Sequence, residues 1–443
     1  MIGGGKSLWA LWLLCSLMLI GYFAKPLITQ RDQGVFLMGE MTHGHHQIAM
    51  ECSACHTDPF GGKEILQNAC VDCHGEELSA VRDSHPKSKF TNPRNADRIE
   101  KLDARFCIAC HVEHRLDKTN AMGVTLPNDF CFECHQEIGE ERPSHAGMGF
   151  ETCASAGCHN FHDNQALYED FLLEHANEPM FAEVAKVLAR NAQDYRKTEA
   201  TPLTADDADG VVVNQEITSH WLGSAHAEAG VNCSGCHASE TQTKNWVQHP
   251  DHQVCANCHE QETAGFLAGK HGMKMGLGLP PMRVAEARIP MHPEAAHKSL
   301  SCSSCHEPHR VDTQYAAVEA CSSCHASTHV QNFKASPHAQ IAVNKPDAEE
   351  EQVTCATCHM PRTVAPNGRV SVEHNQNANL RPNEKMIRGV CMDCHSLSFS
   401  IDALADPELI ERNFSGRPSV HIPSIEMSLE RDKKHSEKAS VYN

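Results

Sequence analysis

The chain is 443 residues long and carries 57 Asp and Glu against 38 Lys and Arg, a formal charge of −19. An acidic surface of this strength repels nucleic acid and most small anions and draws basic partners. Aromatic residues make up only 5% of the chain while cysteines number 23, so a conventional hydrophobic core is thin and the cysteines are the place to look for chemistry.

Residues 8–24, LWALWLLCSLMLIGYFA, form an apolar run of 17 residues between Lys6 and Lys25. That is at the short end for a membrane-spanning helix. Tyr22-Phe23-Ala24 is a poor signal-cleavage site, and Leu14 before Cys15 makes a poor lipoprotein signal. An uncleaved signal anchor over residues 1–30 is therefore the expectation, with residues 30–443 exported to the periplasm and tethered to the inner membrane. Cys15 needs no role beyond that of a membrane thiol.

Every other cysteine belongs to a pair followed at once by histidine. Ten are C-x-x-C-H: Cys52, Cys55 and His56; Cys70, Cys73 and His74; Cys107, Cys110 and His111; Cys131, Cys134 and His135; Cys233, Cys236 and His237; Cys255, Cys258 and His259; Cys302, Cys305 and His306; Cys321, Cys324 and His325; Cys355, Cys358 and His359; Cys391, Cys394 and His395. The eleventh, ETCASAGCHNFH, is a stretched version in which Cys153 and Cys158 precede His159. A disulfide framework gives no reason for a histidine after each pair. Structural zinc wants two half-sites converging on one ion and has no use for the same histidine every time. Covalent haem c requires it: the thiols add to the porphyrin vinyl groups and the adjacent imidazole lies beneath the iron. Eleven haems are expected, and with about forty residues to each, the porphyrins must supply much of the buried apolar surface. The stretched site is read as an ordinary electron-transfer haem with a longer attachment loop.

Motif starts are separated by 18, 37, 24 and 22 residues in a first group and by 22, 47, 19, 34 and 36 in a second, with a gap of 80 between Cys153 and Cys233. In that gap LYEDFLLEHA has helical apolar spacing, Pro179 suits the first turn of a second helix through MFAEVAKVLARNAQDY, and TPLTADDADG reads as an acidic linker. The expected layout is a five-haem module over 31–163, a helical spacer and linker over 164–215, a six-haem module over 216–400, and a C-terminal segment over 401–443. Its last stretch, SLERDKKHSEKASVYN, reads as a solvated tail. The fold class is mostly α and irregular, organised around two haem arrays rather than around layers.

Of 32 histidines, eleven are proximal, leaving 32 − 11 = 21 to close the irons from the other side. A second imidazole on each iron gives low-spin haem without an open position. His114, His162 and His309 each follow a proximal histidine by three residues, which on a helical turn lets the second imidazole reach a neighbouring haem. His43 and His46 precede the first motif as H-x-x-H, and His85 and His145 are further candidates. In the second module the expected ligands are His226, His252, His271, His297, His309 and His338, with His220, His249, His292, His329 and His374 as alternates. Any one spare histidine can equally be a surface group. The loop KHGMKMGLGLPPM at 270–282 is where a methionine ligand would be sought.

This pattern resembles the periplasmic multihaem c-type cytochromes. The H-x-x-H opening and first module resemble class III and pentahaem electron-transfer cytochromes, in which such a pair supplies distal ligands to two different haems. In the second module SHWLGSAHAEAGVNCSGCH and FKASPHA resemble segments of the octahaem hydroxylamine oxidoreductase superfamily. The enzymes' own marks are missing: there is no C-x-x-C-K, the one tyrosine after the last motif is Tyr442, and the widest Cys–Cys spacing is the modest one at Cys153. The leading expectation is a membrane-anchored electron conduit, passing electrons from a quinol-oxidising or other respiratory membrane complex to other periplasmic cytochromes. It leans away from catalysis and is compatible with a homo- or hetero-oligomer. The alternative is an oxidoreductase acting on hydroxylamine, nitrite or sulfite at one open-site haem of the second module, with Lys270, Lys274 and Arg283 beside it. A third class is a filament subunit whose haems mainly support assembly.

Overall fold

The computed structural model describes residues 4–29, 33–58, 61–142, 145–153, 160–163, 167, 169–180, 205–206, 214–239, 242–344, 353–364, 368–380 and 382–441. The chain folds as two compact units, Met1–Glu77 with Pro86–Pro127 and Leu78–His85 with Asn128–Asn443. Residues 128–163, grouped by motif spacing with the first five haems, thus belong to the larger unit.

The first unit begins with helix α1, Gly4–Thr29, which includes a stretch with no buried residue, Leu8–Pro26, long and apolar enough to cross a membrane. The rest is short 3₁₀ turns and loops, two short helical segments at Lys87–Phe90 and Ala96–Lys101, and α2, Lys63–Ala80, which carries the second motif in its middle. The Gln67 side chain on α2 accepts the Cys107 backbone N–H at 2.7 Å, tying the start of the third motif to the second.

The larger unit holds most of the buried apolar residues. Helix α3, Glu169–His175, forms where LYEDFLLEHA has helical spacing. The second spacer helix and most of the acidic linker lie outside the described residues. Helix α4, Gln215–Leu222, is capped by Asn214, whose side chain accepts the Glu216 N–H. Its Trp221 is buried and donates its indole N–H to the Val231 carbonyl at 3.0 Å, anchoring the segment that leads into Cys233. Helix α5, Glu260–Ala268, follows the seventh motif. Helices α6, Lys385–Gly389, α7, Leu397–Ala405, α8, Pro407–Glu411, and α9, Ser424–Val441, close the chain. Leu167, Leu172, Met386, Ile387, Leu397, Ile401, Leu404 and Ile425 form one buried cluster, each side chain contributing roughly 1.5–3 kcal/mol of transfer free energy. Asp406 caps α8 by accepting the Leu409 N–H at 3.0 Å, and Pro407 at the first helical position gives up no hydrogen bond.

Strand is confined, among the described residues, to two small antiparallel hairpins, β1 (Ala238–Ser239) with β2 (Gln242–Trp246) and β3 (Arg362–Val364) with β4 (Val370–Val372). The architecture is mostly α and irregular, as the composition leads one to expect. The stretch read as a solvated tail is mostly exposed from Glu430 onward, but it is helical through residue 441, in α9, and its start packs on the core. Ile425 and Ser428 are buried there, and Leu429 packs on the core cluster. These residues make a narrow stripe at i, i+3 and i+4, masked in the sequence by the charged residues around it.

Candidate haem sites

The described C-x-x-C-H motifs form helical turns, either alone, as in Cys233–His237 and Cys355–His359, or inside a longer helix, as in α2. Residues i, i+3 and i+4 of such a turn share one face, so both thiols and the imidazole point to the same side. The turn is closed by the histidine N–H donating to the carbonyl of the first cysteine: 2.8 Å for His56 to Cys52, 2.9 Å for His111 to Cys107, 2.9 Å for His325 to Cys321 and 2.8 Å for His395 to Cys391. Local capping fixes where the turns start. Asn232 accepts the Cys233 N–H, and Thr354 and Thr357 form a capping box around Cys355. The described cysteines form no disulfides, which leaves each pair available to a porphyrin. Cys158 and His159 of the stretched motif lie outside the described residues.

A transition-metal ion binds an imidazole nitrogen at about 2.0 Å, so two imidazoles on opposite sides of one iron have ring centres roughly 6 Å apart. Eight proximal histidines face another imidazole at that separation. In the first unit His74 faces His45 at 5.9 Å. In the larger unit His135 faces His85 at 6.1 Å, His259 faces His226 at 6.0 Å, His237 faces His309 at 6.0 Å and His325 faces His271 at 6.1 Å. His306 faces His374 at 6.3 Å, His359 faces His329 at 6.1 Å and His395 faces His338 at 6.0 Å. All six proximal histidines between residues 233 and 395 are therefore opposed.

Hydrogen bonds at the far ring nitrogen orient many of these imidazoles. Nδ1 of His85, His237 and His374 lies 2.5, 2.7 and 2.8 Å from the carbonyls of Phe161, Val247 and Val372, and Nδ1 of His329 is 2.5 Å from that of Ile410. A carbonyl only accepts, so Nδ1 carries the proton and Nε2 keeps its lone pair for a metal. Burial, with His325 nearby, lowers His271 to about 4, and burial, with His329 and His325 nearby, does the same for His359. Burial also lowers His325, His338 and His395, and His309 is lowered by burial and the adjacent His237. These rings are neutral at pH 7, the form that ligates.

The structure brings together His85, His226, His271, His309 and His338 with a proximal imidazole. It also opposes His329 and His374, which the sequence ranks as alternates, and His45, which sequence reasoning missed beside His43 and His46. His43 is exposed and its carbonyl lies 3.1 Å from His46 Nδ1, while His46 Nε2 is buried without a hydrogen bond. His114 Nδ1 is 3.2 Å from the Gly39 carbonyl, at a crossing so close that a Cβ on Gly39 would strike the His114 carbonyl. His162 Nδ1 is 3.1 Å from Asp83, and His145 is half-buried. His252 opens a short helix with its Nδ1 buried and unbonded, and His297 is exposed. Lys274 is engaged by Glu286 at 3.0 Å, and Arg283 by the same carboxylate at 3.4 Å.

Successive motifs meet through their thiols. The sulfur of Cys70 lies near that of Cys107, Cys131 near Cys153, Cys255 near Cys302 and Cys321 near Cys355. Among the described residues no group of three or more His, Cys, Asp or Glu could hold a bare metal ion. Two opposed imidazoles flanked by a thiol pair instead suit an iron whose four equatorial donors come from a porphyrin.

These features define a multihaem c-type cytochrome, with haem c as its covalent cofactor and electron transfer as its chemistry. Residues 44–136 match the family model of cytochrome c3, a span that contains the four motifs from Cys52 to His135 and the His45–His74 pair.

Proposed function

We propose that the chain is a membrane-anchored, periplasmic cytochrome with eleven haems, which conducts electrons from a membrane donor such as a quinol-oxidising complex to other periplasmic cytochromes. The observation that carries this reading is the set of six opposed imidazole pairs between residues 233 and 395, since iron held on both faces passes electrons without binding substrate. The thiol contacts between successive motifs support close haem neighbours along the chain. Helix α1 supports the anchor, and the −19 charge supports a basic acceptor. The alternative, catalysis on hydroxylamine, nitrite or sulfite in the second module, needs an iron lacking an opposed imidazole, and none of those six sites offers one.

The test uses the full chain in vesicles, reduced by dithionite and mixed separately with a small basic cytochrome and with each of the three small molecules. The conduit predicts rapid reoxidation of the haem complement by the cytochrome and no haem spectral change with the small molecules. Turnover of any of the three would overturn it.

A further inference from the structure

The described imidazole pairs are not electrostatically equivalent. His85, His237, His329 and His374 hydrogen-bond neutral carbonyls. His45 instead has its Nδ1 2.6 Å from Oε1 of Glu113. That carboxylate is itself held in place: Thr42 donates its backbone N–H to Oε2 at 3.0 Å and its hydroxyl to Oε1 at 2.9 Å. Thr42 is buried and Glu113 half-buried. On the other side of the same pair, Nδ1 of His74 has Oε2 of Glu77 at 3.7 Å. Both axial imidazoles of this one site thus have a carboxylate near the far nitrogen, hydrogen-bonded at His45 and beyond hydrogen-bonding distance at His74. With His45 and the Thr42 backbone and hydroxyl all bonded to its two oxygens, the Glu113 carboxyl sits in surroundings that favour its anion.

A carboxylate accepting Nδ1–H gives the imidazole imidazolate character, making Nε2 a stronger donor. A stronger donor and a fixed negative charge favour ferric over ferrous iron, which lowers the reduction potential. We infer that Glu113, supported by Thr42 and Glu77, is a tuning residue that makes the haem on Cys70 and Cys73 the lowest-potential site of the first unit. Resting on the haem reading above, this places the strongest reductant of that unit at the helix α2 site.

The test is a spectroelectrochemical titration of the full-length holoprotein with Glu113→Gln, Glu113→Asp and Glu77→Gln variants, with haem content measured for each. His45→Met marks the step belonging to this haem, because a methionine ligand moves it far upward. Glu113→Gln is expected to raise that same step by roughly tenfold in the oxidised-to-reduced ratio, about 59 mV for a one-electron couple. Glu77→Gln should raise it less, and Glu113→Asp should restore most of the original value. If Glu113→Gln loses the haem, Thr42→Val takes its place and must raise the same step. An unmoved titration at full haem content, or movement of a different step, overturns the assignment. Absence of haem from the wild-type chain would instead sink the haem reading itself.

Discussion

Replacing His309 by alanine probes the opposed pair most simply. The rings of His237 and His309 lie 6.0 Å apart and 5° from parallel, and Trp246 stacks on His237 at 4.7 Å. His237 is held by the Val247 carbonyl and sits in the Cys233–His237 turn, so it keeps its place when His309 is removed. The iron should then have one axial protein ligand, giving one high-spin haem per chain and removing one of the six low-spin pairs between residues 233 and 395. Against eleven sites the low-spin intensity falls by about one-eleventh, the share expected when each iron carries its own axial pair. His309→Met should keep low-spin character but raise that haem's potential on the order of 0.1–0.2 V, a modest part of the roughly 0.8 V that axial ligands span. EPR of the oxidised variants, integrated against total haem, reads both effects. A His309→Ala spectrum identical to wild type would refute the pairing, as would loss of two or more low-spin haems in a folded chain.

Leu397→Ala should destabilise the larger unit by about 2–5 kcal/mol, because the side chain is 0% exposed at the centre of the apolar cluster; a loss under about 1 kcal/mol in denaturant-dependent amide exchange would contradict that packing. Asp406 is held down to about 2 by hydrogen bonds from Ser419 and Leu409. Its folded value lies below the ordinary value of about 3.9, so its contribution is complete above that value and is lost as the pH falls through about 2. Amide protection at Leu409 and Ser419 should weaken across that window in the wild type, and Asp406→Asn should abolish the pH dependence.

The haem attachment sites are local features and could be read directly: a cysteine pair and its histidine share one helical turn, and a capping residue such as Asn232 sits beside them. The opposed imidazoles are nonlocal. His45 is selected by Glu113, 68 residues away, and no spacing around HGHH distinguishes it from His43 or His46. His329 Nδ1 meets the Ile410 carbonyl 81 residues on, a contact no short motif encodes. His309 was legible because it follows His306 by three residues; Val311, at φ +49°, turns the chain just after it, a conformation rare for a β-branched residue. Helix α9 escaped notice because its buried stripe is only three residues wide among charges.

A pure conduit requires every iron to be held between two protein imidazoles, as the eight opposed pairs are placed to do. This requirement is tested most directly by EPR on the fully oxidised purified protein, with haem and protein quantified together. A conduit should show eleven haems per chain and only low-spin signals, unchanged by hydroxylamine, nitrite or sulfite. A stoichiometric high-spin signal that shifts when one of them is added would contradict it.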